Sequence, residues 1–274
     1  NYLVANPKKT GFLLIRKNQS SMPAQTIEVG GQTITECDVH RILGLTVNAS
    51  LSWGDHIYGV GGLLNSIKQR TGALKRISYH VPSQYLPQIA QAIIVSKIRY
   101  GIGIYGDVRI HDTDPIPEAS KDLQVAMNNA MRIVSGVRLS DRVSIERLSN
   151  VTKIKTLNHM AAEDMMMLVW KGLNDPSSPL SGVFSTGAEV TSKMTRAKTR
   201  GDLRSEAMTN LTQRNFPHTC IELWNNVDVS IRDCKTKFAA KQKSARSLAY
   251  CRFKFARLFI TTMHTITTNS YVNL

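Results

Sequence analysis

The sequence predicts an α+β fold: a small antiparallel sheet first, then a mostly helical remainder. Short apolar-polar runs are broken by glycine between Thr26 and Val47. From Ile57 onward, apolar residues recur at helical spacing. The chain has 274 residues, 42% of them hydrophobic, which suffices for one large or two ordinary cores. We divide it at 1–55 (strands), 56–136 (helices) and 137–274 (a basic helical region).

Ile27, Val29 and Ile34 alternate across Gly30-Gly31, a hairpin signal. Phe12 to Ile15 reads as a buried strand. Ile42, Leu43, Leu45 and Val47 surround Gly44, which reads as a glycine within a strand that marks a bulge or a close backbone approach. Asn48 to Ser50 form a turn, and Ser52 or Asp55 is placed to cap the helix that follows.

That helix carries Ile57, Val60, Leu64, Ile67, Leu74 and Ile77 on one stripe. Gly59, Gly61, Gly62 and Gly72 weaken it by ~1 kcal/mol each. Lys68 and Lys75 share a face beside the stripe, and Arg70 and Arg76 add charge nearby. Pro82 and Pro87 bracket a turn. A second helix follows through Ile98, with Lys97 and Arg99 near its C-terminal end, and Tyr100-Gly101 closes it. Residues 111–117 read as a loop. A third helix runs from Glu118 to a stop at Gly136. Ser140 or Asp141 caps a short helix through Leu148, and another helix spans Lys155 to Lys171. Gly172 and Asn174-Asp175-Pro176 end it, and Ser177 to Gly187 reads as a linker.

Net charge is +15, a balance that implies a polyanionic partner. From Lys193 to Arg257 there are fifteen Lys or Arg and five Asp or Glu, so this stretch carries an excess of ten. Tyr250, Phe253 and Phe255 interleave with those cations; we read the aromatics as helix core and the charge as partner contact. Six phosphate contacts would give a log-log salt slope of roughly −5 on duplex DNA.

Cys37, Cys220, Cys234 and Cys251 are scattered, without Cys-x-x-Cys spacing, so no metal site is expected and reduced thiols are. No apolar run approaches the ~20 residues of a membrane span. We expect an intracellular protein, nuclear or cytoplasmic, with no membrane partner. The chain opens with Asn1 rather than Met, which reads as a piece of a longer product.

An ordered set of residues goes further. It comprises Asn6-x-x-Lys9-Thr10, the hairpin region, Leu43-Gly44-Leu45, Leu51-x-Trp53-x-x-His56-Ile57, Tyr100-Gly101, Arg132-Ile133 before Gly136, Phe216, Trp224-Asn225, Ile231-Arg232 and Lys237-Phe238. Taken in this order, it resembles the reverse transcriptases of non-LTR (LINE-type) retrotransposons, from just after the catalytic aspartates and over roughly residues 6 to 240. The resemblance implies the end of a palm over 1–55, a three-helix thumb over 56–136 and a nucleic-acid-binding extension. It implies that Lys9 lies near the incoming nucleotide, where a lysine neutralises the triphosphate and protonates the departing pyrophosphate. It also implies that Leu43, Gly44 and Leu45 form a primer grip, with Lys68, Arg70, Lys75, Arg76, Lys97 and Arg99 along the nucleic acid.

Nucleotidyl transfer of this class needs two carboxylates holding two Mg²⁺ ions. Asp38 and Asp55 flank the hairpin and Asp112 and Asp114 lie in a loop, so the paired acids are expected upstream of Asn1. Mg²⁺ then belongs to the parent enzyme, and the chain alone should be inactive while holding RNA template, DNA primer or RNA/DNA hybrid. The alternative is a free-standing basic helical module that binds RNA or a protein. In the family, Leu-Pro usually follows Trp-Asn; here Val227-Asp228 stands near that place.

Overall fold

The computed structural model describes residues 6, 10–15, 23–108, 117–184, 201–204, 216–234 and 239. Two short hairpins come first and helices follow, so the fold is α+β. The chain divides into two compact units. Asn1–Gly101 with Pro117–Ile154 make the first, and Ile102–Ile116 with Lys155–Leu274 the second. The stretches 1–55 and 56–136 thus fall mainly in one unit.

In the first unit, β1 (Thr26–Val29) pairs antiparallel with β2 (Gln32–Thr35), from Thr26↔Thr35 to Val29↔Gln32. Gly30 and Gly31 both take positive φ, as a tight two-residue hairpin turn demands. β3 (Val39–Ile42) and β4 (Leu45–Asn48) form a second, separate antiparallel pair. Phe12 to Ile15 is not the strand expected. Phe12 makes a single parallel bridge to Glu36, and its carbonyl accepts from the Cys37 amide at 2.8 Å. One bridge satisfies too few backbone groups to extend a ladder.

The helix expected from Ile57 breaks in two: α1 (Gly54–Tyr58) and α2 (Leu63–Ile77). Gly62 makes the corner possible. A Cβ there would lie 2.7 Å from the carbonyl oxygens of Gly59 and Ile57. Neither Ser52 nor Asp55 caps α1, because both are engaged by Asn48. The buried Asn48 donates from Nδ2 to Ser52 Oγ and Asp55 Oδ2, each at 2.7 Å, and its Oδ1 accepts from the Ser52 amide at 2.8 Å.

Pro82 and Pro87 bracket a turn, as expected, but it is a 3₁₀ turn that leads straight into helix. A 3₁₀ turn (Ser83–Tyr85), α3 (Leu86–Ala90), a π segment (Gln91–Val95) and α4 (Ser96–Arg99) run on without interruption. Pro87 sits in the first turn of α3, where its missing N–H costs nothing. α5 (Ile102–Tyr105) opens the second unit, and α6 (Glu118–Ser135) returns to the first. Gly136 ends α6 in the left-handed conformation, φ 68°, as the sequence predicts.

The core of the first unit is built from α2, the Leu86–Arg99 helix and α6. Ile67, Leu74, Ile94, Ile98, Met127 and Met131 are all 0% exposed. α7 (Ile145–Thr152) completes the unit by packing on α6. It starts later than expected: Ser144, rather than Ser140 or Asp141, accepts from the Arg147 amide.

In the second unit, α8 (Leu157–Asn174) is capped by Thr156, runs through Gly172 and ends at Asn174, at the Asn174-Asp175-Pro176 stop the sequence predicts. A Cβ on Gly172 would meet Phe184 at 2.9 Å, so 177–184 is no spacer at its end. Phe184 packs into the core with Trp170. α9 (Phe216–Asn226) and α10 (Val229–Arg232) close over α8. There Met166, Val169, Cys220, Leu223, Trp224 and Ile231 form the interior, and Trp170 Nε1 donates to the Cys234 carbonyl at 2.9 Å. The described cysteines Cys37, Cys220 and Cys234 are free thiols, and burial pushes the Cys220 thiol up to about 12. The basic stretch Lys193–Arg257 lies largely outside the described residues, including Tyr250, Phe253 and Phe255.

Candidate nucleic-acid interface

Leu43 and Gly44 are the turn of the second hairpin, not the interior of a strand. Ile42 pairs with Leu45, so only two residues remain between the strands. Both have positive φ, 49° and 86°, which matches the right-handed twist of the flanking strands. Gly44 takes this conformation without penalty. Leu43 does not, at about 1–2 kcal/mol for a left-handed non-glycine residue. The turn leaves Leu43 86% exposed at the tip.

The end of α4 holds that turn in place. Tyr100 Oη donates to the Leu43 carbonyl at 2.6 Å, and its ring lies 3.5 Å from where a Cβ on Gly44 would be. Gly101, at φ 73°, lets Leu45 close against it; an added Cβ would sit 3.1 Å from a Leu45 methyl. Lys97 and Arg99 precede Tyr100 on α4, so the hairpin tip and these two cations belong to one local arrangement.

His56 supports it from α1. Its Nδ1 accepts from the Thr46 amide at 3.4 Å, and its ring meets Trp53 edge-on with centroids 6.3 Å apart. Burial, and then the charges of Lys97 and Arg41, push the imidazole pKa below its usual value. Burial is the larger cause, and the two cations near the hairpin base add to it. Accepting at Nδ1 requires the neutral imidazole.

The cations of α2 divide. Lys68, Lys75 and Arg76 are exposed. Arg70 is exposed too, but its Nη1 donates to the Ile93 carbonyl in the π segment at 2.8 Å. Lys68 borders a cleft of about 300 Å³ between α2 and α6, with Thr71, Asp122 and Asn129 over Leu64 and Ala126. Tyr58 Oη donates to Asp122 at 2.9 Å on α6. Lys9, Asp112 and Asp114 lie outside the described residues.

No group of three or more His, Cys, Asp or Glu side chains converges among the described residues. Asp55, one carboxylate beside the hairpin, is already bonded to Asn48. No chemical step is assigned to the described side chains.

Sequence reasoning missed Arg41, His56 and Tyr100 as parts of the hairpin seat. Tyr100-Gly101 signalled a helix end, but its bond to residue 43 depends on tertiary packing. The partners of Arg232, a member of the ordered set, were not foreseen either. That side chain is 7% exposed, pairs with Asp202 at 2.6 Å and donates to the carbonyls of Asn225 and Val227 at 2.7 and 2.8 Å. Asn225 in turn meets both the amide and the carbonyl of Leu203.

No protein-family model, curated protein or solved structure matches the chain. Among the described residues, no helix is long and apolar enough to cross a membrane.

Proposed function

We propose that the chain holds nucleic acid as the late-palm and thumb part of an RNA-directed DNA polymerase of the non-LTR retrotransposon kind. The carrying observation is the seat of the Leu43–Gly44 turn. An exposed aliphatic tip is fixed by Tyr100 to the helix end that bears Lys97 and Arg99, and Arg41 stands on the adjoining strand. A tight turn brings backbone near a sugar-phosphate, and the flanking cations take up phosphate charge. Arg and Lys contacts to the backbone carry no sequence code, so binding is expected to tolerate any sequence. On this reading the template-primer is an RNA/DNA hybrid, Lys68, Lys75 and Arg76 extend the contact along α2, and Lys9 reaches the nucleotide. The acids that hold Mg²⁺ lie elsewhere in the parent enzyme.

Fluorescence anisotropy with a labelled RNA/DNA hybrid tests this. Binding should weaken steeply with salt, with a log-log slope of roughly −5 for six contacts. Leu43→Asp should weaken it without unfolding the chain, since that side chain is 86% exposed. An Mg²⁺-dependent primer-extension assay on the chain alone should stay blank. Nucleotide incorporation, or hybrid affinity indifferent to salt, would sink the proposal.

A further inference from the structure

The first unit carries another cationic surface, between the end of α6 and the end of α7. Its backbone is held by side chains of its own. Arg132, in the last turn of α6, donates from Nη1 to the carbonyls of Arg138 at 2.7 Å and Asp141 at 3.0 Å. Asp141 Oδ2 accepts from the Arg138 amide at 3.0 Å, and Ser144 caps the helix that follows. One guanidinium and one carboxylate thus fix the shape of the loop.

The remaining charges face solvent. Arg138, Arg142, Arg147 and Lys153 are exposed, and among the described residues no ion pair or side-chain hydrogen bond engages them. Two acids stand among them, Asp141, which accepts from the Arg138 amide and keeps its charge, and Glu146, so the four exposed cations outnumber the acids by two. α7 buries Leu148 and Thr152. Arg147 and Val151, one turn apart, share an outward side of that helix, with Val151 61% exposed. Leu139, 76% exposed, stands next to Arg138 in the loop.

We infer that Arg138 and Arg142, on a loop that Arg132 and Asp141 hold in shape, form a second phosphate-contacting surface for the nucleic acid together with Arg147 and Lys153 at the two ends of α7. This rests on the nucleic-acid reading above and adds a contact region to it. Guanidiniums match phosphate oxygens two at a time, and a preshaped loop loses little freedom when it binds. The exposed apolar part is three side chains, Leu139, Ile145 and Val151, split between the loop and the helix, against four cations. That ratio suits a sugar-phosphate strand better than the broad apolar face of a membrane-surface helix.

The test compares the full chain with Arg138→Gln/Arg142→Gln/Arg147→Gln, by hybrid anisotropy across a salt series. Each lost phosphate contact should reduce the slope by about 0.9, so the triple variant should lose roughly 2 to 3 units and bind every sequence more weakly. If the triple variant fails to fold by circular dichroism, Arg142→Gln and Arg147→Gln alone should each lower the slope by about 0.9. An unchanged slope in these variants, beside a reduced one in Arg41→Gln/Lys97→Gln, overturns the inference and leaves the hairpin reading intact. No hybrid binding by the wild-type chain overturns both. A loss confined to phosphatidylserine vesicles, with hybrid binding unaltered, assigns the surface to a membrane and also overturns it.

Discussion

Replacing Arg70 should cost stability and leave nucleic-acid contact alone, although sequence reasoning placed it beside Lys68 and Lys75. Its guanidinium bonds the Ile93 carbonyl at 2.8 Å and approaches Ser66 Oγ at 3.4 Å. Ile93 belongs to the π segment, where the normal helical ladder is interrupted and a carbonyl needs another donor. A hydrogen bond to a charged donor is worth about 1.5–3 kcal/mol, and water competes for this exposed one, so Arg70→Met should lose about 1 kcal/mol. For a unit of this size, that lowers Tm by about 3–5 °C. Differential scanning fluorimetry reads the shift, and hybrid anisotropy across salt reads contact. Lys75→Gln should do the reverse: Tm steady, slope reduced by about 0.9. If Arg70→Met lowers the slope as Lys75→Gln does while Tm holds, the assignment of Arg70 to the π segment is wrong.

His56 and Arg232 give two further tests. Because the folded His56 pKa lies below 6.5, the unfolded chain binds the proton more readily, and stability falls as pH drops through about 6.5 toward the folded value. His56→Asn should flatten the difference between urea melts at about pH 5.5 and 7.5 relative to wild type, and an equal difference in both chains counts against a neutral imidazole under Thr46. Arg232→Met should destabilise the second unit by about 3 kcal/mol, because it removes the guanidinium from the Asp202 carboxylate, only 14% exposed, and from the carbonyls of Asn225 and Val227. Adding Asp202→Asn should recover part of that loss, and strictly additive effects in urea unfolding would show that the pair is not coupled.

What could be read from the sequence was local. Gly30-Gly31 announced its hairpin and Gly136 its helix end, since each fills a left-handed position that glycine favours. Leu43 defeated the same logic. It takes a positive φ although it is not glycine, so an apolar run around Gly44 looked like a strand rather than a turn. Ser52 and Asp55 looked like caps because their residue types are right. Asn48, seven residues before Asp55, takes both, and such a network is settled by burial rather than spacing. Gly59 and Gly62 weakened the long helix in the sequence, but the break itself depends on two carbonyls crowding the corner. The roles of Arg70, Arg132 and Arg232 could not be read at all. An arginine's partners lie up to 30 residues away here, and a helical cation has the same sequence signature whether it faces phosphate or a neighbouring carbonyl.

That distinction has a consequence for salt. Arg70 and Arg132 bond neutral carbonyls, not carboxylates, so they keep their full charge while doing work that a neutral donor could do. Among the described residues, Lys121, Lys155 and Arg232 pair with a carboxylate, and the chain as a whole keeps a net charge of +15. Such a surplus repels itself within the folded units, and screening relieves that repulsion over a Debye length of about 8–10 Å. Raising NaCl from about 50 to 300 mM should therefore raise Tm modestly while hybrid affinity falls. Opposite signs in the two measurements are expected only if the cations are left unneutralised for an external polyanion. A Tm that falls with salt would mean that internal ion pairs dominate, and with them the case for an open cationic surface would fail.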